Sequence, residues 1–335
     1  MKKFDQKLDF LRVLSMCLVV VIHVSNYYCR AFAHISHSSF FIALCFSALA
    51  KAAVPIFFMI SGALMLSKPY EAKKHRDRTL KLFITLVLFT IVYYFWDAYY
   101  LGLKVDDITS LLFNPRREML WFLYVIICLY ISVPYIKLIT DHMDKHLEKL
   151  FIQQWLFFNG FVYVLRFFIE TKPKYFVPVI SGTYYLGYFV IGYLIIKYKD
   201  KIDYKKYNVY YILSILFGVA ILVSLSYFDS LAQGEYIEKY LNYKNLFTNI
   251  ISISAFLLLY GNIKDKKYSI ISFLSPYSFG VYLIHGMVMN VVMRHNAYQS
   301  HSPIYMILLA SLCILLITVP IVYLLKKIPF IKNYV

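Results

Sequence analysis

With 335 residues, 61% of them hydrophobic and 19% aromatic, and a mean hydropathy of +0.62, the chain carries more apolar surface than a soluble core of this size can hide. Its net charge of +17 does not mark a nucleic-acid binder, which gathers basic residues on one face of a soluble domain. Here they punctuate apolar runs, the loop pattern of an integral membrane protein.

About 20 apolar residues cross the hydrocarbon core as a helix, and on that criterion about ten spans are predicted. They lie near 8–28, 41–67, 80–101, 119–139, 150–169, 182–197, 207–228, 246–263, 270–292 and 303–325. The sixth is short, and Gly182, Gly187 and Gly192 thin it further. If the N-terminus is cytoplasmic, the inside segments hold 23 Lys and Arg and the outside segments 9. That imbalance predicts both termini in the cytoplasm. The expected fold is therefore an all-α polytopic membrane protein, a single domain over 1–335. The basic start and apolar run superficially copy a secretory signal, but Arg12 and the length of the run argue against cleavage.

The first span, Asp9-Phe10-Leu11-Arg12 through His23, places two ionisable groups eleven residues apart. Eleven residues return a helix to within roughly 20° of the same face and carry it about 16 Å along its axis. Arg12 and His23 thus share a stripe at two depths. A membrane-buried ionisable group is costly and marks function by default. Bland alternatives remain: Arg12 as an anchor snorkelling to the headgroups, and His23 hydrogen-bonded to a neighbouring helix. The functional reading makes His23 a general base, since neutral imidazole titrates near working pH.

Farther along the chain, His285 in Ser275-Pro-Tyr-Ser278-Phe-Gly-Val-Tyr282-Leu-Ile-His285 reaches a depth similar to His23. Tyr282 lies one turn below it on the same face. Tyr282 and Ser278 are candidate hydrogen-bond donors to a reacting centre. No carboxylate or third histidine shares the depth of the two histidines, so no metal site is expected. Lys51 and Asp97 are expected to pair within the membrane, and Arg166 to snorkel. The loops near 102–118 and 229–245, with Asp106, Asp107, Asp229, Glu235 and Glu238, are either solvated connections or walls of an external entrance. The five cysteines (Cys17, Cys29, Cys45, Cys128, Cys313) form no CxxC pair and read as small apolar residues.

The densest basic cluster is Lys73-Lys74-His75-Arg76-Asp77-Arg78-Thr79-Leu80-Lys81. It reads either as ordinary cytoplasmic charge attracted to anionic lipid or as a clamp for a polyphosphate ligand. Walker-type, GxGxxG, HExxH and GxSxG motifs are absent.

In order along the chain, Arg12-x10-His23, Phe57-Phe-Met-Ile-Ser61-Gly-Ala-Leu64, Arg76-x-Arg78-x-x-Lys81, Trp121-Phe-Leu123 and Tyr282-Leu-Ile-His285 resemble the membrane acyltransferase 3 family. Met119 stands where many members have a histidine, and the third span lacks a proline often found near its start. The resemblance implies about ten helices and transfer of an acyl group from cytoplasmic acyl-CoA, with acetyl-CoA the first expectation. The implied acceptor is a hydroxyl of an extracytoplasmic polysaccharide or lipid-linked sugar. It further implies His23 and Arg12 as the essential pair; His285 and Tyr282 join them as candidate catalytic residues on the depth and helix face given above. Arg76, Arg78, Lys74, Lys81 and Ser61 are then expected on the CoA side. The expected setting is the plasma membrane, without nucleic acid or a metal. A competing class is a transporter lined by the same charges, although no inverted repeat is visible.

Overall fold

The computed structural model describes residues 5–103, 115, 117–165, 167–168, 184–264, 266, 268–294 and 302–335. Lys2, Lys3, Lys104, Asp106, Asp107, Arg116, Arg166, Lys172, Lys174, Gly182 and Lys267 lie outside the described residues. Among the described residues the regular structure is all helix, with no strand. In chain order the helices are α1 (Gln6–Arg30), α2 (His37–Ala50), α3 (Ala53–Leu66), α4 (Ala72–Phe95), α5 (Trp121–His142), α6 (Lys145–Trp155) and α7 (Val162–Leu165). They continue with α8 (Tyr184–Lys197), α9 (Asn208–Gln233), α10 (Leu246–Asn262), α11 (Ser269–Leu274), α12 (Ser278–Val292) and α13 (Pro303–Leu325).

Among the described residues, seven stretches are long and apolar enough to cross a membrane: α1, α2 with α3, Ala72–Tyr100, α5, α9, α11 with α12, and α13. Two more helices, α8 and α10, are apolar but shorter. The protein is therefore a multi-pass membrane protein. Of the ten expected spans, the fifth is interrupted. A π-turn at Leu156–Phe161 separates α6 from α7.

The second span is broken too, between Ala50 and Ala53. Pro55 explains the position of the break: it has no N–H, and its ring clashes with the carbonyl four residues back, that of Lys51. In the first turn of α3 the proline costs little, and the break turns Lys51 into the interior, where it is 5% exposed.

The short sixth span is a packing device. A Cβ at Gly192 would collide with the Met59 backbone, and one at Gly62 with the backbone carbonyl of Phe189. The two glycines therefore notch α3 and α8 into each other, the small-residue contact that lets helix backbones approach within a membrane. Gly187 makes room in the same way for the Trp155 ring.

Pro134 has a different effect in α5. Without an N–H it leaves the Tyr130 carbonyl without its helical donor, and His75 Nε2 on α4 lies 2.7 Å from that oxygen. A carbonyl only accepts, so the imidazole N–H donates here, which pins the start of α4 to the middle of α5.

The expected Lys51–Asp97 pair gives way to two other partnerships. Asp97, 1% exposed, accepts from Arg117 Nε at 2.9 Å and Nη2 at 2.5 Å. Lys51 lies 3.9 Å from Glu238 and 5.1 Å from the centre of the Tyr243 ring. The π-turn at Trp96–Tyr100 and the loop residues Arg117 and Glu238 decide these pairings, and neither is visible in hydropathy.

Candidate functional site

The cation that begins the polar stripe on α1 is held in place. The Asp5 side chain caps the helix, accepting from the amides of Lys7 at 3.1 Å and Leu8 at 3.2 Å, and satisfies donors that a helix start leaves orphaned. One turn on, Arg12 Nη1 donates to Asp9 Oδ1 at 2.5 Å and to Ser275 Oγ at 3.0 Å. The Ser275 hydroxyl donates to the same Asp9 carboxylate at 2.7 Å. Asp9 is 6% exposed, so the buried carboxylate has a compensating cation. Asp9 and Ser275 are site residues that the sequence reading passed over. The signal was present, because Asp9 lies three residues before Arg12 on one helix face.

Arg12 and His23 border one continuous cavity of about 250 Å³. Ser61, Tyr130 and Tyr282 line it between them, and Tyr243 and Trp121 also contribute to the wall. Tyr130 lies within interaction range of Ser61, Arg12 and Arg78. The cavity follows the stripe of α1, and its wall is mostly apolar and aromatic apart from these groups.

His285 stands outside the cavity wall, fully buried, with its ring centroid 5.1 Å from that of His23. Its Nδ1 lies 2.7 Å from the Tyr282 carbonyl and 3.1 Å from that of Val281. A carbonyl only accepts, so the neutral ring carries its proton on Nδ1. Nε2 is then an acceptor, and it is buried with no hydrogen-bond partner.

The two expected donors are committed elsewhere. The Tyr282 hydroxyl donates to the Met119 carbonyl at 2.5 Å, and that of Ser278 to the Ser275 carbonyl at 2.8 Å. Each can still accept, but neither has a proton to spare. Met119 is fixed from several sides: the Tyr93 hydroxyl lies 3.2 Å from its sulfur, and Gly286 leaves the space its side chain fills.

The basic cluster divides. Arg78 and Lys74, with Lys68, line a second pocket of about 210 Å³. It lies beside the Arg12 end of the main cavity: Met65 and Arg78 border one, and Leu64 and Leu82 the other. Lys74 is paired with Glu71 at 2.6 Å. Arg76 is turned away, paired with Asp77 at 3.2 Å and 74% exposed. Lys81 borders neither pocket and lies near Lys326, whose ammonium is lowered by burial and by the Lys81 charge.

A bundle of apolar helices that sets an arginine and a histidine, both partly exposed, on the wall of one cavity defines a multi-pass membrane protein with a site built for polar chemistry. The acyltransferase-domain model of the acyltransferase 3 family matches residues 5–327, nearly the whole chain. The chain belongs to that family and is a membrane acyltransferase. No curated protein and no solved structure matches it.

Proposed function

We propose that the protein is an acyl-CoA-dependent O-acyltransferase, with acetyl-CoA as donor. Its acceptor is a hydroxyl of an extracytoplasmic polysaccharide or lipid-linked sugar. The observation that carries this reading is the single cavity bordered by both Arg12 and His23. In the proposed orientation ten helices cross the plasma membrane, both termini are cytoplasmic, and the Arg12 end faces the cytoplasm. The second pocket then takes the CoA phosphates against Arg78, Lys74 and Lys68, for which guanidinium and ammonium groups are suited. The acyl-pantetheine arm enters beside Arg12, Ser61 and Tyr130.

A thioester is already activated, so the protein's task is to position the acceptor hydroxyl and manage its proton. The hydroxyl oxygen attacks the thioester carbonyl carbon while His23 takes the hydroxyl proton. The C–S bond then breaks, the ester is released, and His23 returns the proton to the departing CoA thiolate. His285 is a positioning residue in this scheme. Its Nε2 has no partner in the structure and lies beside the His23 ring; in the reacting complex it takes up an N–H of His23 and leaves the other His23 nitrogen to act as base.

The test is a His23→Ala variant, purified in nanodiscs and supplied with acetyl-CoA and surface glycan from cells lacking the protein. Acetylated glycan, read by mass spectrometry together with CoA release, should disappear while the protein remains folded. Full transfer by the variant would overturn the assignment.

A further inference from the structure

The geometry points to an anion-binding acceptor subsite at the His23 end of the cavity, built to take a sugar that carries a carboxylate or a phosphate. This rests on the proposed orientation and acyl transfer, and it names the acceptor class those leave open.

Under the proposed topology basic residues are scarce outside, yet Lys51 and Arg30 both lie within electrostatic reach of His23 at this end of the cavity. Lys51 is 5% exposed and lies over the Tyr243 ring, which lines the cavity. Glu238 lies 3.9 Å from both Lys51 and Arg30. Lys244, next to Tyr243, sits 4.2 Å from the centre of the Tyr184 ring. An aromatic wall joins them: Trp121 stands 5.4 Å from Tyr243 and 5.2 Å from Tyr185, centroid to centroid.

The frame is firm. Tyr188 donates to the Tyr243 carbonyl at 2.7 Å, and Ser226 to the Ile237 carbonyl at 2.7 Å. Lys239 is spent on this frame, 2.7 Å from Asp229, which holds its ammonium above the ordinary range.

Glu238 lies between Arg30 and Lys51, 3.9 Å from each, a spacing longer than a hydrogen bond. It marks where an anionic substituent sits between two cations. A desolvated lysine makes such a contact far stronger than one in bulk water. The tilted aromatic rings offer apolar faces for the apolar face of a sugar ring, and His23 lies at the same end to receive its hydroxyl proton.

The experiment measures binding to the full-length protein in nanodiscs without acyl donor, by isothermal titration. The probes are tetragalacturonate, its neutral methyl ester and glucose 6-phosphate. The acid tetramer should bind at least about tenfold tighter than the ester, a difference of roughly 1.4 kcal/mol. Lys51→Gln and Arg30→Gln should each abolish that preference, Lys51→Arg should retain it, and Glu238→Gln should tighten acid binding. The tighter of the uronate and the sugar phosphate names the anion. Equal binding of acid and ester overturns the proposal, as does unchanged preference in folded Lys51→Gln and Arg30→Gln proteins. CoA release by the wild-type protein is followed separately, so failure of the subsite and failure of the acyltransferase reading are told apart.

Discussion

The rings of His23 and His285 lie with centroids 5.1 Å apart and planes tilted by 41°, and the backbone carbonyls of Tyr282 and Val281 fix which nitrogen of His285 carries the proton. One histidine borders the cavity and the other is sealed behind it. Their inequality gives each a separate role.

That inequality predicts distinct outcomes at position 285. His285→Leu removes the acceptor and should lower kcat about a hundredfold, the lower range for general-base effects, with KM for acyl-CoA unchanged. His285→Gln keeps an acceptor near the position of Nε2 and should recover much of the loss. Steady-state CoA release distinguishes the two. A merely structural histidine would give equal losses in both variants.

At the other end of the stripe, Arg12 depends on Asp9 and Ser275. Hydrogen bonds to charged groups contribute about 1.5–3 kcal/mol, so Asp9→Asn should raise KM for the acyl donor by about tenfold or more. Ser275→Ala should have a smaller effect in the same direction. Unchanged KM in both would remove Arg12 from the donor side.

The divided basic cluster separates Arg78 from Arg76. Arg78→Ala should weaken donor binding by about tenfold, as loss of one charge-assisted phosphate contact does. Arg76→Ala, at a solvent-facing pair, should leave KM within about twofold, in keeping with the small worth of surface ion pairs. Titration of both variants with CoA alone reads this directly.

The reciprocal notch between α3 and α8 sets a stability prediction. Gly192→Ala forces a methyl group onto the Met59 backbone and should destabilise by about 1–3 kcal/mol, the usual range for overpacking. Thermal unfolding in detergent should show a lowered midpoint, whereas Leu216→Ala, at a 60% exposed position, should be close to wild type.

Much of the site was legible in one helix. The eleven-residue spacing put Arg12 and His23 on one stripe, and the structure gives that stripe a cavity. Counting residues from the inner end of the ninth span brought His285 to the depth of His23, and the two rings do meet. What hydropathy missed depends on tertiary placement. Asp97 finds Arg117, and Lys51 finds Glu238, because the π-turn and the break before Pro55 redirect side chains that a continuous helix would point elsewhere. The protons of Tyr282 and Ser278 go to carbonyls whose positions only the folded chain defines. Gly192 of the sixth span looked like weakness in a sequence window, but against α3 it is where the backbones meet.

The central claim is that one cavity joins a donor at Arg12 to an acceptor at His23, and sidedness tests it most directly. Proteoliposomes of known orientation are given acetyl-CoA labelled in the acetyl group on the Arg12 side only, and acceptor glycan on the His23 side only. The account predicts labelled glycan on the His23 side, CoA released on the Arg12 side, and loss of both with His23→Ala. Label reaching the glycan only when donor and acceptor share one side would contradict it.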